Sequence, residues 1–458
     1  MTRRMNWDMG RVILTLAWPT MLEQLLQTAV QYIDTAMVGA LGTHATAAVG
    51  ATTTINWLVG STIAAMGVGF LAFIARACGA DDRPAARKAA AQAVLAVLVV
   101  GSLFTLLTVG LSGYIPVWMQ VDEQIRAMAG GYFLVLYLPM LFRTATIIFG
   151  TVLRAAGDTR TPMKVGVMVN VINVGLNFLM IYPTRTVSFW GRNVQVWGLG
   201  WGVLGAAAAS SIAVTVGGIC ITGVLWRHPV VSPKGQKLRP DWSILKPCMR
   251  VALPNMLQRF GTSLGYVAFA AMINALGEVA AAAHTIANTV ESAFYIPGFG
   301  MQTAAATLAG NAYGARDNKR MKELAAMFMS IELGLMVLSG AALFTFAPPL
   351  VDIFTDSPDV MALGVTVLRM VAVSEPFYGF SIIVEGMMMG VGKTKVPFLY
   401  NIFGMWCIRI VGTFICTRML GMGLVSAWAC MIAHNLLLCA LFGVSYRRGS
   451  WNPLEENV

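Results

Sequence analysis

Apolar residues run along this chain in long blocks separated by short polar punctuation, and the blocks are too long to be strands. Twelve can be placed, over 12–40, 45–75, 90–115, 128–153, 162–183, 199–226, 246–275, 280–310, 323–351, 360–390, 396–420 and 422–446. Each holds about 20 residues or more, enough for a helix to cross about 30 Å of hydrocarbon while satisfying its own backbone hydrogen bonds. The pattern predicts an all-α integral membrane protein of twelve transmembrane helices.

The blocks also come as two sets of six. WPTMLEQ to AMVGALG over 18–42 returns as LPNMLQR to AMINALG over 253–277. Gly-Ala-Asp at 79–81 returns as Gly-Ala-Arg at 314–316, and GDTRTP at 157–162 returns as GKTKVP at 392–397, always at an offset of 235 residues. Six helices per half bring both halves into the membrane from the same side, so the repeat is parallel and its pseudo-twofold axis lies along the membrane normal. The expected organisation is a lobe over 1–226, a cytoplasmic linker over 227–245 rich in Pro, Lys and Arg, a lobe over 246–446 and a cytoplasmic tail over 447–458.

Composition fits this reading, since 57% hydrophobic with 12% charged residues cannot be hidden in one soluble core. A formal charge of +11 raises the question of nucleic acid, and the placement of the basic residues answers it. They crowd the connections after helices 2, 4, 6, 8 and 10 and the tail (Arg83, Arg87, Lys88, Arg160, Lys234, Arg239, Arg316, Lys393, Arg447), whereas the alternate connections carry mainly acids. This is the positive-inside pattern, and it predicts both termini in the cytoplasm and no nucleic-acid partner. Arg3, Arg4 and Arg11 precede the first block like a secretory n-region, but the block is too long for a signal peptide, and Arg192 is one of a few basic exceptions on the acidic side. The seven cysteines show no paired or metal-ligand spacing and read as small buried hydrophobes.

Charges inside the blocks need a reason, because an ionised side chain at mid-membrane costs at least about 2.5–3.5 kcal/mol on insertion scales. Asp34 stands out: its repeat mate is Phe269, so the acid belongs to one half alone. Helix 5 offers Asn170, Asn173 and Asn177, three and four apart on one face, and helix 6 offers Ser210 and Ser211 after a run of alanines that permits close approach. One carboxylate with amide and hydroxyl oxygens suits either a proton or a small hard cation. The plainer alternative is a structural acid capped by polar neighbours. In the second half, Glu291 and Glu375 are candidates either to share a proton or to pair with Arg259, Arg369 or Arg409, and Glu332 and Glu385 look like pairing or interface residues. Glu23 and Arg259, on helices 1 and 7, are a candidate salt bridge on the cytoplasmic side.

Pro19 and Pro254 occupy matching positions in the first helix of each half, where each removes a backbone hydrogen bond and permits a hinge; Pro139, Pro297 and Pro376 do likewise in helices 4, 8 and 10. Twenty-nine methionines and the aromatics Trp57, Tyr137, Phe149, Phe294, Tyr295 and Tyr378 are candidates for a deformable substrate cavity, with lipid-facing or packing roles as the alternative.

Taken in order, the first-helix Pro, the Asp-Thr-x-Met-Val-Gly run at 34–39, Ala-Gly-Asp-Thr-Arg-Thr-Pro at 156–162, Asn173 with Asn177, and Pro-Gly-Phe-Gly at 297–300 resemble the multidrug and toxic compound extrusion (MATE) family of cation-coupled antiporters. The resemblance implies alternating-access export of amphipathic, often cationic, drugs or metabolites from the bacterial inner (plasma) membrane, by a protein adequate as a monomer, with no cofactor beyond a coupling H+ or Na+. It also implies that Asp34 is the coupling carboxylate, with Asn173, Asn177 and Ser210 as its partners. Many relatives carry a second aspartate where this chain has Asn177, which weighs against sodium and not against the proton. Another branch couples through acids in helices 7 and 10, where this chain has Thr262 and Tyr378, so the chain resembles the branch that relies on the first lobe.

Three other classes share parts of this pattern. A lipid-linked precursor flippase of the same superfamily shares the two-lobe plan but calls for extra helices and a basic cavity, while Asp34, Glu23 and Glu291 make this interior acidic. A passive channel calls for rings of similar residues, yet the two halves differ at their charged positions. An intramembrane enzyme finds no support in His44, His228, His284 and His434, which lack metal spacing, and no nucleophile motif is present.

Overall fold

The structure, a computed structural model, describes residues 2–118, 121–189 and 192–455, and within them the side chains of 2–7, 51, 54, 187–189 and 192–194 lie outside the described set. Arg3, Arg4 and Arg192 fall there, as do the last three residues of the expected tail.

In chain order the helices are α1 (Thr2–Gly39), α2 (Thr43–Gly79), α3 (Arg83–Leu111), the short α4 (Ile115–Trp118), α5 (Glu123–Tyr137), α6 (Met140–Ala155) and α7 (Arg160–Met180). A hairpin of β1 (Pro183–Phe189) and β2 (Arg192–Leu199) follows, then α8 (Gly202–Arg227), α9 (Trp242–Asn274), α10 (Glu278–Gly314), α11 (Asn318–Asp352) and α12 (Pro358–Gly390). The next span runs as α13 (Lys395–Phe403), a π-helical stretch Gly404–Ile410, α14 (Val411–Phe414) and a second π stretch Ile415–Met419, before α15 (Leu424–Arg447). Because α5 and α6 are one span bent by 49° and Lys395–Met419 is another, the described residues form twelve long helical spans. Eight helices are both long and apolar enough to cross a bilayer, and the bent pair makes a ninth. The remaining three, α1, α9 and α10, have the length but carry polar side chains along it, among them Glu23, Asp34, Gln258, Arg259 and Glu291.

Two features depart from the expected run of plain helices. The hairpin adds antiparallel strands where a loop was expected, in a stretch whose alternating Thr-Val-Ser-Phe and Val-Gln-Val-Trp suits a pleated surface. Pro139 does more than kink a helix: it caps α6 and divides the span. Its ring leaves the carbonyl of Val135 without an amide donor, and Ser211 on α8 supplies a hydroxyl to that oxygen at 2.5 Å. Helix runs unbroken through Pro19, Pro254, Pro297 and Pro376.

The duplication is written into backbone geometry. In the two repeated boxes, Gly157 and Gly392 take φ of +87° and +85°, and Asp158 N–H and Lys393 N–H reach back to the carbonyls of Leu153 and Met388 at 2.9 and 2.8 Å. Asp81 and Arg316, at equivalent places, both take φ of 54°. The ends of α2 and α10 pack reciprocally: a Cβ on Gly79 would lie 2.0 Å from the Asn311 carbonyl, and a Cβ on Gly314 would lie 2.0 Å from the Arg76 carbonyl. Residues 76 and 311, like 79 and 314, are repeat mates, so this contact carries the twofold relation in miniature.

The chain forms two compact units: Leu22–Phe70 with Arg83–Leu245, here the first-half unit, and Met1–Met21, Leu71–Asp82 and Lys246–Val458, the second-half unit. In the first-half unit α8 packs on α5, α6 and α7, and α3 packs on α6. The linker is docked there. Gln92 on α3 donates to the Arg239 carbonyl at 2.8 Å and accepts from Asp241 N–H at 3.0 Å, while Arg87 donates to the Pro229 carbonyl at 3.0 Å. Asp241 in turn accepts from the Ser243 hydroxyl and amide, which hold its carboxyl below the usual carboxylate range. In the second-half unit α12 is central, against α10, α11 and α15. Phe328, Met387, Met388, Leu438 and Phe442 fill one part of its core, and Phe269, Leu343, Val367 and Trp428 another. Of the cysteines only Cys248 is buried and Cys407 is exposed, so the expectation of small buried hydrophobes fails for most of them.

Gly314→Val drives a side chain into the Arg76 carbonyl and is expected to cost ~2 kcal/mol or more. Gly334→Ala on α11, where a Cβ meets nothing within 4 Å, is expected to be neutral or slightly stabilising. Thermal unfolding of the two detergent-purified variants checks the contrast.

Candidate cation-coupling site

Asp34, Asn173, Asn177 and Ser210 come together inside the first-half unit. The 3.6-residue period puts Asn173 and Asn177 on one face of α7, and both are buried, at 5% and 0% exposure. Asn177 Nδ2 donates to Asp34 Oδ1 at 2.5 Å. The hydrogen-bonding pattern assigns the Asn173 amide with its nitrogen toward Asp34, donating to Oδ1 at 2.9 Å, while its oxygen accepts from Ser210 Oγ at 2.9 Å. Close helix approach makes this reach possible. A Cβ on Gly205 of α8 would lie 2.3 Å from the Met180 carbonyl, and one on Gly217 would meet the Val169 side chain. Asn177 Oδ1 is buried and has no hydrogen-bond partner. One turn beyond Asp34, the Met37 carbonyl accepts from Tyr182 Oη at 2.9 Å, which ties the end of α7 to α1.

Glu23 is engaged within the same unit. Arg154 on α6 donates to both of its carboxylate oxygens at 2.6 Å, a two-point grip on α1, with Gly166 of α7 lying alongside. The partner expected from the sequence, Arg259, is replaced in this role by Arg154. Arg259 lies in the second-half unit, where its charge acts on Glu385 and Tyr378.

The second-half acids find fewer partners than expected. Glu385 accepts from Gln258 Nε2 at 2.7 Å. Glu332, a candidate for pairing or an interface, is fully buried with neither carboxylate oxygen hydrogen-bonded, and Glu375 is 2% exposed with Oε2 unbonded. No arginine makes an ion pair with Glu291 or Glu375 among the described residues. Arg409 acts on Glu291 through its charge while its guanidinium stacks over Tyr266 and Phe269, 4.8 and 4.2 Å from the ring centroids. Arg369 donates instead to the Phe344 carbonyl. Glu332 lies against the places where Gly298 and Gly379 lack side chains, next to Pro297 and near Pro376.

The aromatic candidates scatter. Tyr137 and Phe149 are buried at 0% and 2%, Tyr137 stacks on Phe133 at 4.2 Å, and its hydroxyl has no hydrogen-bond partner. Trp57 is half exposed, Phe294 packs against the Leu343 and Trp428 core, and Tyr378 meets Tyr295 edge-on at 6.0 Å. Among the described residues no three His, Cys, Asp or Glu side chains gather as a metal site. The site therefore offers one carboxylate, two amides and a hydroxyl: a place for a proton, or, with the amides turned to present oxygen, for a hard monovalent cation. Sequence reasoning named Arg409 as a candidate partner of the second-half acids but missed Arg154, which only its position at the end of a span marked.

Comparison with known proteins bears on the whole chain. It is 28% identical over 444 residues to the probable multidrug resistance protein NorM of Thermotoga maritima, covering 97% of this chain and 93% of that protein. It is 24% identical over 448 residues to the probable multidrug resistance protein YpnP of Bacillus subtilis, covering 95% and 94%. A MOP superfamily transporter from Pyrococcus furiosus shares its fold, with a TM-score of 0.89, 24% identity and 98% and 97% of the chains covered. MATE crystal structures in bent and in straight conformations each match with a TM-score of 0.89 at 23% identity, over 98% of this chain and 97% of each of theirs. The MatE family model matches residues 19–179 and 254–415, one segment in each repeat. With these matches and its apolar helical spans, the chain is a multi-pass membrane protein that belongs to the MATE family.

Proposed function

We propose that the chain is an antiporter, driven by protons or sodium, that exports amphipathic and often cationic drugs or metabolites by alternating access. The observation that carries the reading is the geometry at Asp34: a carboxylate inside a helical span, received by two amides, with no ion-pair partner among the described residues. Holding it ionised costs at least about 2.5–3.5 kcal/mol, and each hydrogen bond to a charge returns about 1.5–3 kcal/mol. The two effects are of similar size, so a proton or cation at Asp34 decides which arrangement of α1 and α7 is favoured. Protonation removes the charge and weakens the hold of Asn173 and Asn177. Sodium instead needs oxygen ligands, and the unbonded Oδ1 of Asn177 is one that such an ion would take.

Drug and ion must prefer opposite states of one bistable element, since a ligand shifts an equilibrium only by its differential affinity. In this reading occupation of Asp34 moves α1 about Pro19, with Pro254 as the matching hinge, expels drug outward, and resets on ion release into the cytoplasm. The lobes over 1–226 and 246–446, the cytoplasmic linker and tail, the bacterial inner membrane and a working monomer belong to the same proposal. The multidrug resistance names of the relatives support a drug as cargo.

Asp34→Asn is expected to abolish efflux while leaving the protein folded. Dye export from proteoliposomes under a pH gradient or a sodium gradient, imposed separately, checks this and identifies the ion; wild-type export by the variant would remove Asp34 from the mechanism. Glu23 and Arg154 are read as frame. Glu23→Gln, Arg154→Gln and the double variant are expected to show a coupling energy of ~1–3 kcal/mol in unfolding experiments, and additivity would contradict that role.

A further inference from the structure

Two of the seven cysteines meet where the last two spans pack together. Cys416, in the second π stretch Ile415–Met419, and Cys430, on α15, are free thiols whose sulfurs lie 4.0 Å apart. Fourteen residues and a change of helix separate them, so no spacing announces the pair. Cys416 sits in a π turn, a winding that is rare and concentrates at functional sites. Cys430 is about 9 Å into α15, so both lie near the turn that joins the spans. Met422 is in that turn, its N–H donating to the Cys416 carbonyl at 2.8 Å. All three residues line one cavity of about 480 Å³, with Gly423, Val425 and Ala429. The pair is also framed from behind. A Cβ on Gly412 would lie 3.1 Å from Cys430 Sγ, so the glycine is what admits the sulfur. Next to it Thr413, fully buried, has a hydroxyl that acts on Cys430 but makes no hydrogen bond. A thiol is a weak acceptor, and a metal-bound thiolate is the strong one that this hydroxyl lacks.

We propose that Cys416, Cys430 and Met422 form a binding site for one soft monovalent metal ion, Cu(I). Metal–sulfur bonds are about 2.3 Å, so two sulfurs 4.0 Å apart subtend about 120° at a shared ion, the angle of a trigonal site. The Met422 thioether supplies the third ligand from the same cavity. Two thiolates and a thioether are a soft set, which selects Cu(I). Zinc would need four ligands drawn from Cys, His, Asp or Glu, and among the described residues no three gather. On binding, Cys416 and Cys430 each release a proton to solvent and no electron is transferred. The loaded site then carries one negative charge, which the Thr413 hydroxyl meets by donating to Cys430 Sγ. The ion pins the end of the span Lys395–Met419 to α15 within the second-half unit and touches none of the residues at Asp34.

The test titrates the reduced, detergent-purified full chain with Cu(I) under anaerobic conditions, in competition with the chelator bicinchoninate. Wild-type protein is expected to take one equivalent, with three sulfurs around the copper by X-ray absorption. Its affinity is expected to rise by about 100-fold per pH unit while both thiols are protonated, because two protons leave. Cys416→Ser and Cys430→Ser are each expected to weaken that equivalent by about 100-fold or more, and Met422→Leu by about ten-fold. Cys407→Ser, at an exposed cysteine, is expected to leave it unchanged. Where a variant does not fold, the wild-type chain decides. One equivalent of Ag(I), a redox-inert mimic, is expected to shield Cys416 and Cys430 from alkylation by N-ethylmaleimide, read by mass spectrometry, and to leave Cys407 reactive. No tight equivalent, an equal loss in Cys407→Ser, copper without sulfur ligands, or a pair that Ag(I) does not shield would overturn the assignment.

Discussion

A carboxylate in hydrocarbon must be met by donors or lose its charge, and the first-half unit is arranged around that requirement. Asp34 projects from a helix that has nothing of its own to offer it. The donors come from α7, where Asn173 and Asn177 share a face, and the second layer comes from α8, where Ser210 follows the alanines. That layer reaches only because α7 and α8 approach closely at Gly205 and Gly217. The same economy appears at the bend of the fourth span. Pro139 removes one backbone donor, and Ser211, beside Ser210 in sequence, replaces it with a hydroxyl. Adjacent serines therefore serve two unrelated needs, one at an ionisable side chain and one at an orphaned carbonyl.

The long spans were legible because hydrocarbon thickness imposes a minimum length of apolar run, and the polar cluster was legible because helical periodicity alone brings residues 173 and 177 to one side. What the sequence does not encode so directly is direction around a helix axis relative to neighbours. Similar depth makes Arg259 a candidate partner for Glu23, yet its partner is Arg154, 131 residues away on α6. Glu332, a candidate for pairing or an interface, is buried with both carboxylate oxygens unbonded, a burial that no local pattern announces. Tyr137 and Phe149, chosen as cavity aromatics, are buried side chains, since an aromatic stripe reads the same whichever way it faces. The hairpin was hidden for another reason: a search for hydrophobic blocks passes over short alternating strands between them. The π-helical stretches around Arg409 have no signature in composition.

The two halves keep their turns and change their interiors. Left-handed residues recur at 42 and 277, 81 and 316, and 157 and 392 with nearly equal φ, because a helix-ending geometry admits few substitutes. Interior positions are freer. Where the first half has Asp34, the second has Phe269, and the face of that ring is covered by the Arg409 guanidinium at 4.2 Å from its centroid. The first half thus has an acid received by two amides, whereas the second has at the matching residue a ring covered by a cation from its own chain. Duplication supplied the frame, and divergence at a few buried positions divided the electrostatic roles.

The docked linker has a mechanical consequence. With Gln92 bonded to the backbone on either side of Pro240, and Arg87 bonded at Pro229, the connecting segment has little slack where it leaves α3. The stretch from Arg227, which closes α8, to Trp242, which opens α9, is thus held on α3 within the first-half unit. Through both its donor and its acceptor the Gln92 amide serves this segment as a neighbouring peptide group would, so one side chain does for the connection what a strand partner does at a sheet edge.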